Sequence, residues 1–233
     1  MKGLIIAAQF LTRLPLPAVW VDDGAFARSM RWFPAVGFII GALLAGVAAL
    51  IGDPWMAALA VLVAWVGITG ALHIDGLADL ADAVGAGHRD PARLRAVLAD
   101  PHVGSFGVVA IMLLLIAKLV LLHALLERGM ILPLLLIPFA ARIGPLAWAR
   151  WLPPLHEGLG ARFSAAIGVR HILLWGAVLL GCSWTMPMLL ATPVLIALWA
   201  LWIRQRIGGI SGDGHGAGIE LVEVALLALA AVR

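Results

Sequence analysis

The chain has 233 residues, 63% of them hydrophobic and only 12% charged, with a formal net charge of +3 at pH 7. Its mean hydropathy is +1.05, which excludes a water-soluble globular domain, because one core of this size cannot hide that much apolar surface. The single cysteine, Cys182, lies in an apolar run and rules out a disulfide framework.

The predicted architecture is all-α, a polytopic integral membrane bundle forming one catalytic domain over 1–233. Residues 3–11 are apolar but too short to cross a bilayer, and no small-x-small cleavage pattern precedes Arg13, Pro15 and Pro17. This segment therefore reads as mature sequence at the interface or re-entering the bundle. Residues 34–51 and 54–72 each approach the roughly 20 residues that span about 30 Å of hydrocarbon. The turn-forming Gly52-Asp53-Pro54 joins them as a helical hairpin. Residues 106–126 form the next span despite Lys118 and His123, and residues 130–149 another despite Arg142. The uncharged stretch 172–203 is long for one span, and Pro187 and Pro193 near its middle predict two short helices meeting at a bend. A short last span covers about 219–232. The total is about seven spans, within a range of six to eight.

Charge asymmetry orients this layout. Lys2, Arg13, Arg28, Arg31, Arg89, Arg93, Arg95, Arg150, Arg162, Arg170, Arg204 and Arg206 fall on one side, and only Arg128 and Arg233 on the other. The positive-inside rule places the richer side in the cytoplasm, with the acidic segments as cytoplasmic loops. The tryptophans, among them Trp20, Trp32, Trp148, Trp151 and Trp202, read as an aromatic belt at span ends, and Gly37 and Gly41 as a small-residue packing pair.

Two glycine-containing acidic stretches interrupt the apolar sequence: residues 73–83, HIDGLADLADA, and residues 208–223, GGISGDGHGAGIELVE. Asp75, Asp79 and Asp82 are spaced by four and three, so a helix presents them on one face. Clustered carboxylates repel unless a cation sits among them, and Mg²⁺ with part of its shell left to substrate phosphates is the economical answer. Asp75, Asp79, Asp82 and Asp100 are therefore the candidate metal ligands. Asp82, Asp213 and Glu220 are the candidate catalytic carboxylates. The glycines of the second stretch, Gly209 and Gly212 among them, let backbone amides approach phosphate oxygens. Arg13, His73, Gly76, Lys118 and Arg142 complete the candidate substrate-binding set. Each has a plain structural reading too: an aspartate caps a helix, Asp213 makes a turn, and carboxylates in a first turn complement the dipole. Lys118 inside a span requires a partner, either substrate or a structural acid.

The segments FLTRLPLP at 10–17, RSMRWFPAVG at 28–37, LHIDGLADLADA at 72–83, VLADPHVGSFGVVA at 97–110, HEGLGARFS at 156–164 and RIGGISGDGHGAGIELVEV at 206–224 resemble, in order, the motifs of the cobalamin synthase family. That resemblance covers nearly the whole chain and adds Glu157 to the substrate-binding set. It implies a Mg²⁺-dependent transfer in which α-ribazole, or its 5'-phosphate, attacks the diphosphate of adenosylcobinamide-GDP. GMP leaves and adenosylcobalamin or its phosphate forms, with membrane lipid around the protein and no nucleic acid as partner. The chain departs from the family pattern at Ala99-Asp100-Pro101-His102, where a lysine and a hydroxyl are missing, and at Ser211-Gly212-Asp213-Gly214-His215. Two other classes compete. An intramembrane prenyltransferase also holds a Mg-diphosphate on two aspartate-rich motifs, but its Asn-Asp-x-x-Asp openings are absent. An ion-coupled transporter would use Lys118, Arg142 and the acids, but places acids near mid-span.

Overall fold

The computed structural model describes residues 2–86, 91–98, 100, 102–155 and 166–232. Among these residues the chain is helical and no strand forms; a lone parallel bridge links Pro154 to Ile210. In chain order the helices are α1 (Lys2–Leu11), α2 (Asp23–Ser29), α3 (Phe33–Ala49), α4 (Pro54–Thr69), α5 (Leu72–Ala86), α6 (Pro91–Leu98) and α7 (Ser105–Glu127). They continue with α8 (Leu132–Ala141), α9 (Gly144–Trp151), α10 (Val169–Ser183), α11 (Thr192–Arg206) and α12 (Gly212–Ala231).

Five helical stretches are long and apolar enough to cross a membrane, and the bent pair α4 and α5 raises this to six if counted as one span. The predicted hairpin forms. Asp53 caps α4 by accepting from the Met56 N–H at 2.8 Å, and Pro54 occupies the first turn, where its missing N–H does no harm. The stretch 172–203 also breaks as the prolines predict: α10 ends at Ser183, and a 3₁₀ turn, Pro187–Ala191, leads into α11. Outward faces are apolar, with Leu113, Ile116 and Val120 of α7 and Leu173, Leu174 and Leu180 of α10 exposed, as lipid-facing surface must be.

The interior is held by close backbone approach. A Cβ on Gly37 would overlap the Pro138 carbonyl, and one on Gly41 the Leu135 carbonyl, so α3 and α8 meet through the predicted small-residue pair. Trp148 departs from the predicted belt. It is fully buried and donates its indole N–H to the Ile196 carbonyl at 2.9 Å, whereas Trp20 and Trp151 are exposed.

Two boundaries differ from the sequence reading, and both matter for the site. The span predicted over 54–72 stops at Thr69, where Gly70 (φ 61°) and Ala71 (φ 58°) take the left-handed conformation and turn α5 by 84° from α4. Glycine adopts that conformation freely, but Ala71 holds it at a cost of about 1–2 kcal/mol. The last helix starts at Gly212, seven residues before the predicted start at 219, so the glycine-rich stretch is mostly helix. Packing outweighs glycine's poor helix propensity here: Gly214 lies against Ile203 and Ile210, and Gly218 against the rings of Trp148 and Trp199.

Candidate active site

Helix α5 lies across the N-termini of α7 and α12, and each crossing is made by a specific residue. Asp82 turns both carboxylate oxygens to the start of α7, accepting from Gly104 N–H at 2.7 Å and Gly107 N–H at 2.9 Å. Gly76 touches the start of α12, where a Cβ would stand 2.8 Å from Asp213 Cα. Gly216 faces back, its absent Cβ 3.1 Å from His73 Cα. The two acidic segments, far apart in sequence, are therefore in contact at one end of the bundle. The first is helical, as the spacing of its aspartates suggested, and the second is helical from Gly212 on, where a loop was expected.

At this junction Asp75 is exposed and Asp79 and Asp213 are half-buried; Asp75 and Asp213 lie in the first turns of their helices and Asp79 one turn further along α5. Partial desolvation, followed by the charges of Asp75, Asp213 and Asp82, pushes the Asp79 carboxyl from 3.8 up to about 6. Burial raises a carboxyl by disfavouring its charged form, and the neighbouring acids add to that rise. Ser211 caps α12, its hydroxyl accepting from the Gly214 N–H at 3.1 Å. The exposed Gly212 leaves the helix start open to an anion. Arg13 sits beside the bend, its N–H donating to the Ile68 carbonyl at 2.7 Å and its side chain lying on Gly70.

A cavity of about 130 Å³ opens at the same place, lined by Asp75 and Asp213 and by the apolar Phe10, Phe33 and Ile219. His73 and His215 line it, are 3% and 8% exposed, and make no hydrogen bond through either ring nitrogen. His73 Nδ1 is 4.0 Å from Glu220 Oε1, beyond hydrogen-bond reach.

Next to the cavity lies a buried set of charges, in which Nε and Nη2 of Arg142 have no hydrogen-bond partner among the described residues. Lys118 Nζ is 2.6 Å from Glu220 Oε2 and donates to Glu223 Oε2 at 2.7 Å. The Arg142 guanidinium donates to Glu223 Oε1 at 2.8 Å and to the Pro138 carbonyl at 2.9 Å. All four side chains are at most 2% exposed, and the Lys118 ammonium also stands 4.2 Å from the Trp65 ring centre. Two cations and two carboxylates balance, which is how a membrane interior tolerates them.

These contacts revise several expectations. Arg142 was expected to meet substrate, and Lys118 either substrate or a structural acid; both cations are instead paired with buried acids, Lys118 with Glu220 and Glu223 and Arg142 with Glu223. Glu220 was expected as a catalytic carboxylate, and it is instead the ion-pair partner of Lys118. Asp82, expected as both metal ligand and catalyst, spends both oxygens capping α7. Asp100 is exposed and bonded to His102 Nδ1 at 2.7 Å, a hydrogen bond that holds its carboxyl below the ordinary range, and it is not among the acids that raise Asp79. Gly209 is packed on the Pro153 carbonyl, next to the Pro154–Ile210 bridge, not on an open phosphate site. Glu157 lies outside the described residues. Among the described residues no three His, Cys, Asp or Glu side chains converge closely enough to enclose a metal by themselves. Asp75, Asp79, Asp213, His73, Gly76 and Gly212 do come together. His215 and Glu223 join the site from outside the candidate set. Glu220 and Glu223, three apart on one helix, match in number the two mid-span cations Lys118 and Arg142, and that balance was the available signal.

The family model for cobalamin-5-phosphate synthase matches residues 3–231. The chain belongs to that family. Among members of the cobalamin-5-phosphate synthase family, a protein named adenosylcobinamide-GDP ribazoletransferase from Novosphingobium aromaticivorans is 61% identical, covering 100% of this chain and 97% of that protein. Proteins of the same name from Thiobacillus denitrificans and Brevibacillus brevis are 51% and 34% identical, covering 100% and 97% of this chain and 96% of each relative. No solved structure matches this cobalamin-5-phosphate synthase family member.

Proposed function

We propose that the chain is an adenosylcobinamide-GDP ribazoletransferase of the bacterial cytoplasmic membrane, with its acidic end facing the cytoplasm. A ribose hydroxyl of α-ribazole, or of α-ribazole 5'-phosphate, attacks the phosphorus that carries the cobinamide ester. A new P–O bond forms, the P–O bond to GMP breaks, and GMP departs with the bonding electrons. Asp213 takes the hydroxyl proton, since it lies beside the cavity at the open start of α12. The product is adenosylcobalamin or its 5'-phosphate.

The donor set suits Mg²⁺. Asp75 and Asp79 offer hard oxygens without a third carboxylate to complete a cage, and Mg²⁺ ordinarily takes one or two carboxylates, several waters and substrate phosphates. The gathering of Asp75, Asp79 and Asp213 at one junction is the supporting observation, because a divalent cation would relieve the mutual repulsion of these carboxylates. Bound there, Mg²⁺ would neutralise charge on the diphosphate and on the departing GMP. The start of α12 at Gly212 and the guanidinium of Arg13 supply further stabilisation for phosphate oxygens.

The contact of Gly76 with Asp213 carries this reading, since it joins the two acidic segments into one site. An ion-coupled transporter is disfavoured because the mid-span charges it needs are paired with each other. Purified protein given adenosylcobinamide-GDP, α-ribazole and Mg²⁺ is expected to release GMP in a one-to-one ratio with cobalamin product. Release of inorganic pyrophosphate, or no release beside an active control, rejects the proposal.

A further inference from the structure

Resting on that function, we infer that the cavity between α1, α5 and α12 is the pocket for the heterocyclic base of the ribazole, and that the corrinoid and the guanine stay outside it. Three observations point there. The first is size. An apolar cavity of about 150 Å³ holds a benzene ring, so a space of about 130 Å³ accepts a ring or the inner part of a fused bicycle and excludes any macrocycle. The second is wall chemistry. Phe10 and Phe33 lie nearly parallel with centroids 5.9 Å apart, giving flat apolar surface against which an aromatic ring stacks.

The third observation is the polar inventory. His73 and His215 are more than nine-tenths buried, face the cavity, and leave all four ring nitrogens without a hydrogen bond. A buried polar group without a partner costs about 1–3 kcal/mol, so two such imidazoles lining one cavity mark a place for a ligand with few polar atoms. A benzimidazole riboside has one free ring nitrogen, an acceptor, because the other carries the sugar. An imidazole N–H satisfies it, and the second imidazole is left for a ribose hydroxyl. Guanine fits poorly on the same arithmetic. Its edge sets donors and acceptors side by side, and two imidazoles on different helices match only some of them, each group left unpaired costing about 1–3 kcal/mol. With the base seated, the ribose emerges between Asp75 and Asp213, where the attacking hydroxyl is needed.

The test separates the two substrates kinetically. GMP release is measured for the wild type and for Phe33→Ala and His215→Leu, varying α-ribazole at saturating adenosylcobinamide-GDP and then the reverse. The expected result is a rise of at least tenfold in KM for α-ribazole with less than twofold change in KM for the corrinoid. A rise confined to the corrinoid, or equal for both, overturns the assignment. Phe33→Leu, which keeps the core filled, is run in parallel, and a smaller rise of the same selectivity is expected. Equilibrium dialysis of α-ribazole against the wild-type protein alone adds a readout independent of turnover: binding that excess GMP leaves unchanged supports the pocket, and displacement by GMP assigns it to guanine instead. If the wild type binds α-ribazole but releases no GMP, the transferase reading fails while the pocket stands.

Discussion

Removing Glu223 is the most severe test of the buried charge set. This one carboxylate accepts from Lys118 at 2.7 Å and Arg142 at 2.8 Å and is fully buried. Glu223→Gln keeps the volume but leaves two cations against Glu220 alone, an uncompensated positive charge inside the bundle. Breaking a buried pair by deleting one partner costs about 3–5 kcal/mol. Two charge-assisted hydrogen bonds at about 1.5–3 kcal/mol each sum to about 3–6 kcal/mol, which overlaps that range. For a chain of this size about 2–4 °C accompanies each kcal/mol, so thermal unfolding in detergent is expected about 6–20 °C lower. The charge-balanced double variant Lys118→Met/Glu220→Gln leaves the Arg142–Glu223 pair intact. Its loss should be smaller than the sum of its single variants by about 0.5–3 kcal/mol, the coupling of neighbours in one network. A Glu223→Gln protein that melts with the wild type, or a double variant that is merely additive, refutes the account of these four residues as one neutral cluster.

Asp79 makes stability depend on pH with a definite sign. Its folded value of about 6 lies above the 3.8 of an unperturbed aspartate, so its contribution is fully present below about 4 and is lost as pH rises through about 6. Metal-free protein should lose stability between those values relative to Asp79→Asn, and Mg²⁺ should cancel the loss; identical pH profiles for the two proteins contradict the clustered-acid geometry. Gly76→Ala places a methyl against the Asp213 backbone, with an expected cost of about 1–3 kcal/mol from overpacking and a larger fall in kcat/KM than in Gly46→Ala, whose Cβ meets nothing within 4 Å. Equal effects of the two substitutions in the same GMP assay argue against the α5–α12 contact. Asp82→Ala removes the cap of α7 and should cost about 0.5–2 kcal/mol, read from denaturant or thermal unfolding, with the stabilisation by added Mg²⁺ the same as in the wild type. A diminished Mg²⁺ response in the variant would make Asp82 a ligand after all.

Much of this organisation is legible in the residues themselves. The hairpin at Gly52-Asp53-Pro54, the break before Pro187 and the meeting of α3 and α8 at Gly37 and Gly41 each follow from one local rule about turns, prolines or small residues. The convergence of residues 73–83 with 208–223 was also within reach, because charge asymmetry put them on one side. What the sequence conceals is the choice between local rules and tertiary contacts. Glycines 214, 216 and 218 look like a loop until Ile203, His73 and Trp148 are seen filling the space their side chains lack. Asp82 shares a helical face with Asp75 and Asp79, yet only the position of α7 shows its oxygens occupied. Lys118 needed a partner, and nothing along the chain distinguishes a substrate phosphate from glutamates on a helix 105 residues away. His73 and His215 become notable only once burial leaves their nitrogens without bonds.

The central claim is that the acids brought together by Gly76 hold a divalent ion on the substrate diphosphate. Mn²⁺ substituted for Mg²⁺ and retained on the protein after rapid desalting with adenosylcobinamide-GDP permits a direct measurement, ³¹P electron–nuclear double resonance on the bound ion. The account predicts phosphorus coupling in the wild type and loss of protein-retained Mn²⁺ in Asp75→Asn and Asp79→Asn. Undiminished retention and coupling in both variants would contradict it.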